Sequence, residues 1–149
     1  WHELGGAYEA EWRDLAEDRG RTMRAEFILP FPISVNEIWG HSGNKTYLSK
    51  RYRAWRKKAR QELSGLCMEE PYAGRVRVEM RLYGPSRRIY DIDNMAKAVM
   101  DVLEGTLLVN DEQMDLQVMK RGHLHKPAGC VWVLITPAED YEPCPELPS

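Results

Sequence analysis

At 149 residues, 43% of them hydrophobic and 30% charged, the chain is long enough for one domain with its own core. No apolar run approaches the roughly 18 residues of a membrane span, no basic and apolar leader opens the chain, and no membrane partner is expected. The formal net charge of −2 argues against a nucleic-acid partner only until its distribution is read: residues 1–22 hold six acids and three bases, residues 138–149 hold four acids and no base, and 18 of the 21 bases lie between.

Residues 1–22 read as an acidic accessory segment, with Tyr8, Trp12 and Leu15 on one side of a short amphipathic helix. Met23 reads as a natural start of the folded body, which is expected to run from 23 to 137. Residues 25–29 read as a first strand, stopped by Pro30 and Pro32. Residues 31–48 are rich in Pro, Gly, Ser and Asn and read as a loop, in which Asn36 and the tip at 41–45 offer polar groups to a phosphate backbone. A long helix is expected over 49–66, capped by Ser49, with Tyr52, Trp55, Ala59, Leu63 and Leu66 as its core stripe. Its other faces carry seven bases in eleven residues: Lys50, Arg51, Arg53, Arg56, Lys57, Lys58 and Arg60. Such a density repels itself unless it faces an anion, and nucleic-acid phosphate is the natural one. Residues 75–83 alternate as a half-buried strand, with Val76, Val78, Met80 and Leu82 inward. A Gly-Pro-Ser turn and the basic pair Arg87–Arg88 follow, placed to hold a phosphate beside the next stretch.

That stretch, 91–111, reads DIDNMAKAVMDVLEGTLLVND. Asp91 and Asp93 are two apart, so on extended backbone both point to one face. Met95, Ala98, Val99, Val102 and Leu103 then recur at helical spacing, with Asp93 the expected N-cap and Gly105 the stop. Lys97, one turn in, is expected to lean back towards the carboxylates. A short turn returns the chain to Asn110 and Asp111. A DxD pair alone says little, because aspartates are common at turns and caps. Three carboxylates and a lysine say more. Their repulsion calls for a hard divalent cation such as Mg²⁺ or Mn²⁺, and the set suits phosphoryl chemistry.

Beyond Asp111, residues 114–119 alternate as a strand, and 120–129 form a loop in which His123 and His125 read as exposed. Residues 130–135 read as an interior strand and 138–149 as a disordered, acidic and Pro-rich tail. Cys67, Cys130 and Cys144 are odd in number and lack CxxC spacing, which points away from disulfides and zinc and towards a reducing cytoplasm. The order β-α-β-α-β-β implies an α+β two-layer domain, a mixed β-sheet with two main helices on one face. In that arrangement Asp91, Asp93 and Asp111 are expected near one end of the sheet.

The run DIDNMAKAVMDVLEG, followed by NDEQM, resembles the RusA family of phage and bacterial Holliday-junction resolvases, whose pattern is DxDNxxKxxxDxL and then a DD pair. The stretch LPFPISVNEIWGHSGNKTYLS at 29–49 is similar to the proline-rich opening and polar loop of that family, and the likeness spans roughly 24–136. The resemblance implies a homodimeric endonuclease that uses Mg²⁺, with Mn²⁺ able to substitute, and cuts branched DNA in a bacterial or phage-infected cytoplasm. Asp91, Asp93 and Asp111 match the family's metal-holding catalytic acids, and Lys97 matches its essential lysine. Asn36, Lys50, Arg51, Arg53, Lys57, Lys58, Arg87 and Arg88 are the expected DNA contacts. Two departures stand out: Asn110 occupies the first position of the DD pair, and Ile89 and Tyr90 separate the basic pair from Asp91. A protein that binds branched DNA without cutting it is the first alternative. A hydrolase of small phosphate compounds is the second, and it would leave the basic helix without a role.

Overall fold

The strand β1 (Ala25–Pro30) buries Ala25, Phe27 and Leu29 and leaves the residues between them half-buried, the signature of a sheet covered on one face. The structure, a computed structural model, describes residues 23–66 and 70–138 together with Pro145 and Pro148. The helix expected in 1–22, most of the tail, Cys67 and Cys144 lie outside the described residues. After β1 come β2 (Trp39–Ser42), β3 (Lys45–Leu48), α1 (Lys50–Ser64), β4 (Val76–Tyr83), α2 (Ala96–Leu103), β5 (Met114–Arg121) and β6 (Cys130–Pro137).

Four strands form one sheet in the order β1-β6-β4-β5. β6 runs antiparallel to both β1 and β4, while β4 and β5 are parallel. A parallel pair needs a crossover, and residues 84–113, with α2 in the middle, supply it. Val76, Val78, Met80 and Leu82 of β4 and Val131, Val133 and Ile135 of β6 join Phe27 and Leu29 in one core, which Tyr52, Trp55, Ala59 and Leu63 of α1 close from above together with α2. This is the expected α+β two-layer domain with a mixed sheet. The uncovered face is polar: Arg81 lies over the Trp132 ring at 4.7 Å, and Trp132 Nε1 donates to Glu26 at 2.8 Å.

α1 begins where its cap predicts. Ser49 Oγ accepts from the Tyr52 amide at 3.1 Å and donates to the Glu37 carbonyl at 2.6 Å, tying the helix start to the preceding segment. The helix ends at Ser64, short of Leu66, with Gly65 as its cap. The segment read as a loop holds more order than expected: a 3₁₀ turn at Val35–Glu37 and the β2–β3 hairpin. Both hairpin strands are largely exposed, so neither shows the one-sided alternation that reveals a strand. The Gly43-Asn44 turn was the one available signal, Gly43 taking φ +59°. Asp93 is not a helix cap. A 3₁₀ turn, Asp93–Met95, precedes α2, and neither Ile92 nor Met95 at the two cap positions makes a side-chain bond.

Candidate functional site

Asp91 follows the end of β4 by way of the 84–90 loop. Its carbonyl accepts from the Asn94 amide at 3.2 Å and that of Ile92 from Met95 at 3.1 Å, which tightens the chain into α2. That helix buries Ala96, Ala98, Val99, Met100, Val102 and Leu103, so Lys97 and Asp101 stand on its outward side. Four residues apart, they pair at 2.7 Å. Lys97 therefore turns away from Asp91 and Asp93, against expectation, because Asp101 is half-buried and offers a closer acceptor in a fixed position on the same helix. The hydrogen bond that Lys97 donates to Asp101 holds the Lys97 pKa above its ordinary 10.5, with the nearby charges of Asp101, Asp111 and Glu104 adding to it and partial burial opposing. Lys97 is a permanent cation at neutral pH.

The return from α2 passes Glu104 and Gly105, whose φ of +79° ends the helix where the sequence predicts. Asn110 then caps a 3₁₀ turn, Asp111–Gln113. Its Oδ1 accepts from the Glu112 amide at 3.0 Å, and Gln113 Oε1 accepts from the Asn110 amide at 2.9 Å. Gln113 is 5% exposed and its amide also donates to the Tyr72 and Gly74 carbonyls at 2.6 and 2.8 Å. The residue that departs from the DD pattern thus fixes the turn that carries Asp111.

Parallel pairing sets Met114 opposite Val76, so the turn carrying Asp111 is anchored where β4 begins, whereas Asp91 follows the end of β4. α2 spans the interval, and Asp111 is near enough to Lys97 for its charge to be felt there. Among the described residues no three His, Cys, Asp or Glu side chains converge closely enough to hold a metal. Asp91, Asp93 and Asp111 are all exposed, and none forms an ion pair with a described base. Asp91 has one weak partner, the Asn94 amide at 3.5 Å. Three accessible, uncompensated carboxylates are the right donors for a hard divalent cation.

Asp91 lines a cleft of about 460 Å³ with Phe31, Ser34, Glu37, Arg51, Arg88 and Asn94. The cleft joins Arg88, Arg51 at the start of α1, and Asp91. Arg51 is held there by Glu37 at 2.8 Å, in an exposed pair that an anion can compete with. Asn36 is exposed on the 3₁₀ turn beside Ser34, and Arg87 is exposed on the loop. On the outer side of α1, Arg53 and Lys57 line a shallow groove with Arg56 and Arg60, while Lys50 and Lys58 are exposed nearby.

A family model described as Endodeoxyribonuclease RusA matches residues 30–131. The chain belongs to the RusA family. It is 30% identical over 115 residues to the crossover junction endodeoxyribonuclease of Enterobacteria phage HK97, covering 76% of this chain and 95% of that one. Against the phage 82 enzyme of the same name it is 30% identical over 94 residues, 62% of this chain and 78% of the relative. Against the Escherichia coli K12 enzyme it is 29% identical over the same length and shares.

Every expected site residue of this RusA-family chain, from Asn36 to Asp111, falls inside the matched stretch. Three residues near the acids went unread. Asp101 stood in the motif, but only the helix shows that it owns Lys97. Gln113 could have been found, since Asn110 and Gln113 have capping-box spacing. Arg121 could not, because it reaches Tyr90 across the sheet edge, at 2.8 Å to the carbonyl. His123 packs edge-on against Tyr83 at 4.9 Å and His125 is exposed, so the pair reads as loop structure, as expected.

Proposed function

We propose that this protein is a divalent-metal-dependent endonuclease that resolves four-way DNA junctions, acting as a homodimer in recombination and repair. One observation carries the reading beyond family membership: the cleft at Asp91 joins that acid to Arg51 at the head of the basic helix and to Arg88. Asp91, Asp93 and Asp111 would hold Mg²⁺, with Mn²⁺ able to substitute. Bound there, the cation polarises a phosphodiester and eases ionisation of water.

The chain's own groups do the rest. Lys97, its proton secured by Asp101, offsets negative charge on the phosphate and does not act as a base at neutral pH. Lys50, Arg51, Arg53, Lys57 and Lys58 engage backbone phosphates, which fixes the position of the duplex arms without reading their sequence. Arg87 and Arg88, with Asn36, border the strand to be cut. One subunit serves one strand, so resolving a junction takes two sites related by a two-fold axis.

A labelled synthetic four-way junction with Mg²⁺ tests this. The parent cuts it, and Asp91→Asn binds it but cuts roughly 100-fold more slowly or worse, as expected for loss of an electrostatic catalytic group. Equal cutting by the two proteins would remove the metal assignment. Junction binding without cutting is the second reading, favoured by Asn110 in place of the first acid of the DD pair, and it expects tight binding with no Mg²⁺-dependent product from the parent.

A further inference from the structure

Tyr90 stands directly before Asp91, and a residue from a distant part of the chain packs on it. Arg121, the last residue of β5, donates from Nη2 to the Tyr90 carbonyl at 2.8 Å, and its guanidinium carbon lies 4.3 Å from the centre of the Tyr90 ring. Phe31 meets the same ring edge-on at 5.2 Å. The guanidinium is therefore held by two contacts against the peptide that joins Tyr90 to Asp91. It is exposed, and no acid among the described residues pairs with it. A guanidinium carries five N–H donors in a planar fork, and Tyr90 takes one side of it. The rest of the fork is free, already oriented, and suited to an anion with paired oxygens.

Neither Arg87 nor Arg88 stacks on the Tyr90 ring as Arg121 does. Ile89, 90% exposed, and Tyr90 separate Arg88 from Asp91 along the chain, and Arg88 lines the cleft that Tyr90 and Asp91 also line. We propose that Arg121 is the phosphate-binding cation at Asp91, receiving the phosphate to be cut on its open donors, with Tyr90 as its positioning residue. The inference rests on the reading of Asp91 as the cutting site and names the base that serves it.

Two measurements on the full chain test it. The first is fluorescence anisotropy of a labelled four-way junction over a range of NaCl, without divalent metal. Each lost phosphate contact lowers the slope of log affinity against log salt by about one. Arg121→Ala should lower it by about one and weaken binding about tenfold at low salt, whereas Arg121→Lys keeps the slope because it keeps the charge. A tie that merely braces the loop would leave the slope of the alanine variant unchanged, and that result overturns the proposal. The second is single-turnover cutting with Mg²⁺ at saturating protein. Arg121→Lys should cut about tenfold more slowly, because a lysine lacks the planar fork and stacks poorly on Tyr90. Cutting at the parent's rate overturns the oriented fork, and this arm stands even if the alanine variant does not fold. A parent that binds the junction without cutting it overturns the nuclease reading alone, and the salt slope still decides Arg121.

Discussion

Lys97 shows how one hydrogen bond sets a residue's chemistry. Its raised pKa means that the stabilisation it gains from Asp101 is complete below 10.5 and is lost only as pH rises through the raised value. The pair is exposed enough that its share of stability is modest, about 0.3–0.5 kcal/mol for pairs of this kind. A pH–rate profile from about pH 6 to about pH 9 should show no limb from Lys97 deprotonation, and Lys97→Arg should keep its shape. A limb that disappears in the arginine variant would reveal a titrating lysine instead. Gln113 makes a different kind of prediction. Gln113→Ala removes the bonds to the Gly74 carbonyl and the Asn110 amide and one of those on the Tyr72 carbonyl, and should cost about 1–3 kcal/mol by denaturant unfolding. Cutting should fall as well, because the same bonds hold the turn of Asp111. At this scale the types and spacing of Asp91, Asp93, Lys97 and Asp111 were legible in the sequence. The direction in which Lys97 points was not, since spacing permits both a backward and a forward partner and only the burial of Asp101 decides.

Among the elements, α1 was the most fully legible. Its stripe of Tyr52, Trp55, Ala59 and Leu63 is buried as the period predicts, and Ser49 caps it. Ser49→Ala should cost about 1 kcal/mol of stability, read by thermal or denaturant unfolding, with some loss of order at the Glu37 carbonyl it also contacts. The outer face makes the functional prediction. Reversing Arg53 and Lys57 to Glu should weaken junction binding and flatten its salt dependence while leaving the fold intact, since both are exposed. Unchanged binding would favour a small phosphate substrate over DNA. The β2–β3 hairpin was illegible for a physical reason. With neither face buried, its hydrophobic pattern carries no period, and exposed Trp39 and Tyr47 sit where a buried strand would keep them inside.

For the molecule as a whole, charge and symmetry decide what can be tested. A homodimer predicts a solution mass of about twice 17.3 kDa in light scattering, held at concentrations where junctions are cut. A monomer that still cuts both strands of a junction would end that part of the proposal. The mixed sheet was legible as a class, because strand-type and helix-type periods alternate along the chain. The place of Asp111 beside the start of β4 was not. It follows from β4 and β5 being parallel, and no local pattern states which way a strand will run beside its neighbour.

The sheet also dictates a timetable for synthesis. β6 is the last strand of the described chain, yet it lies in the interior of the sheet and is β1's sole neighbour there. While the chain leaves the ribosome, the apolar rows of β1 and β4 wait without the strand that joins them. A nascent protein stalled before Cys130 would show open apolar rows to chaperones and proteases, and release of one final strand would let it close.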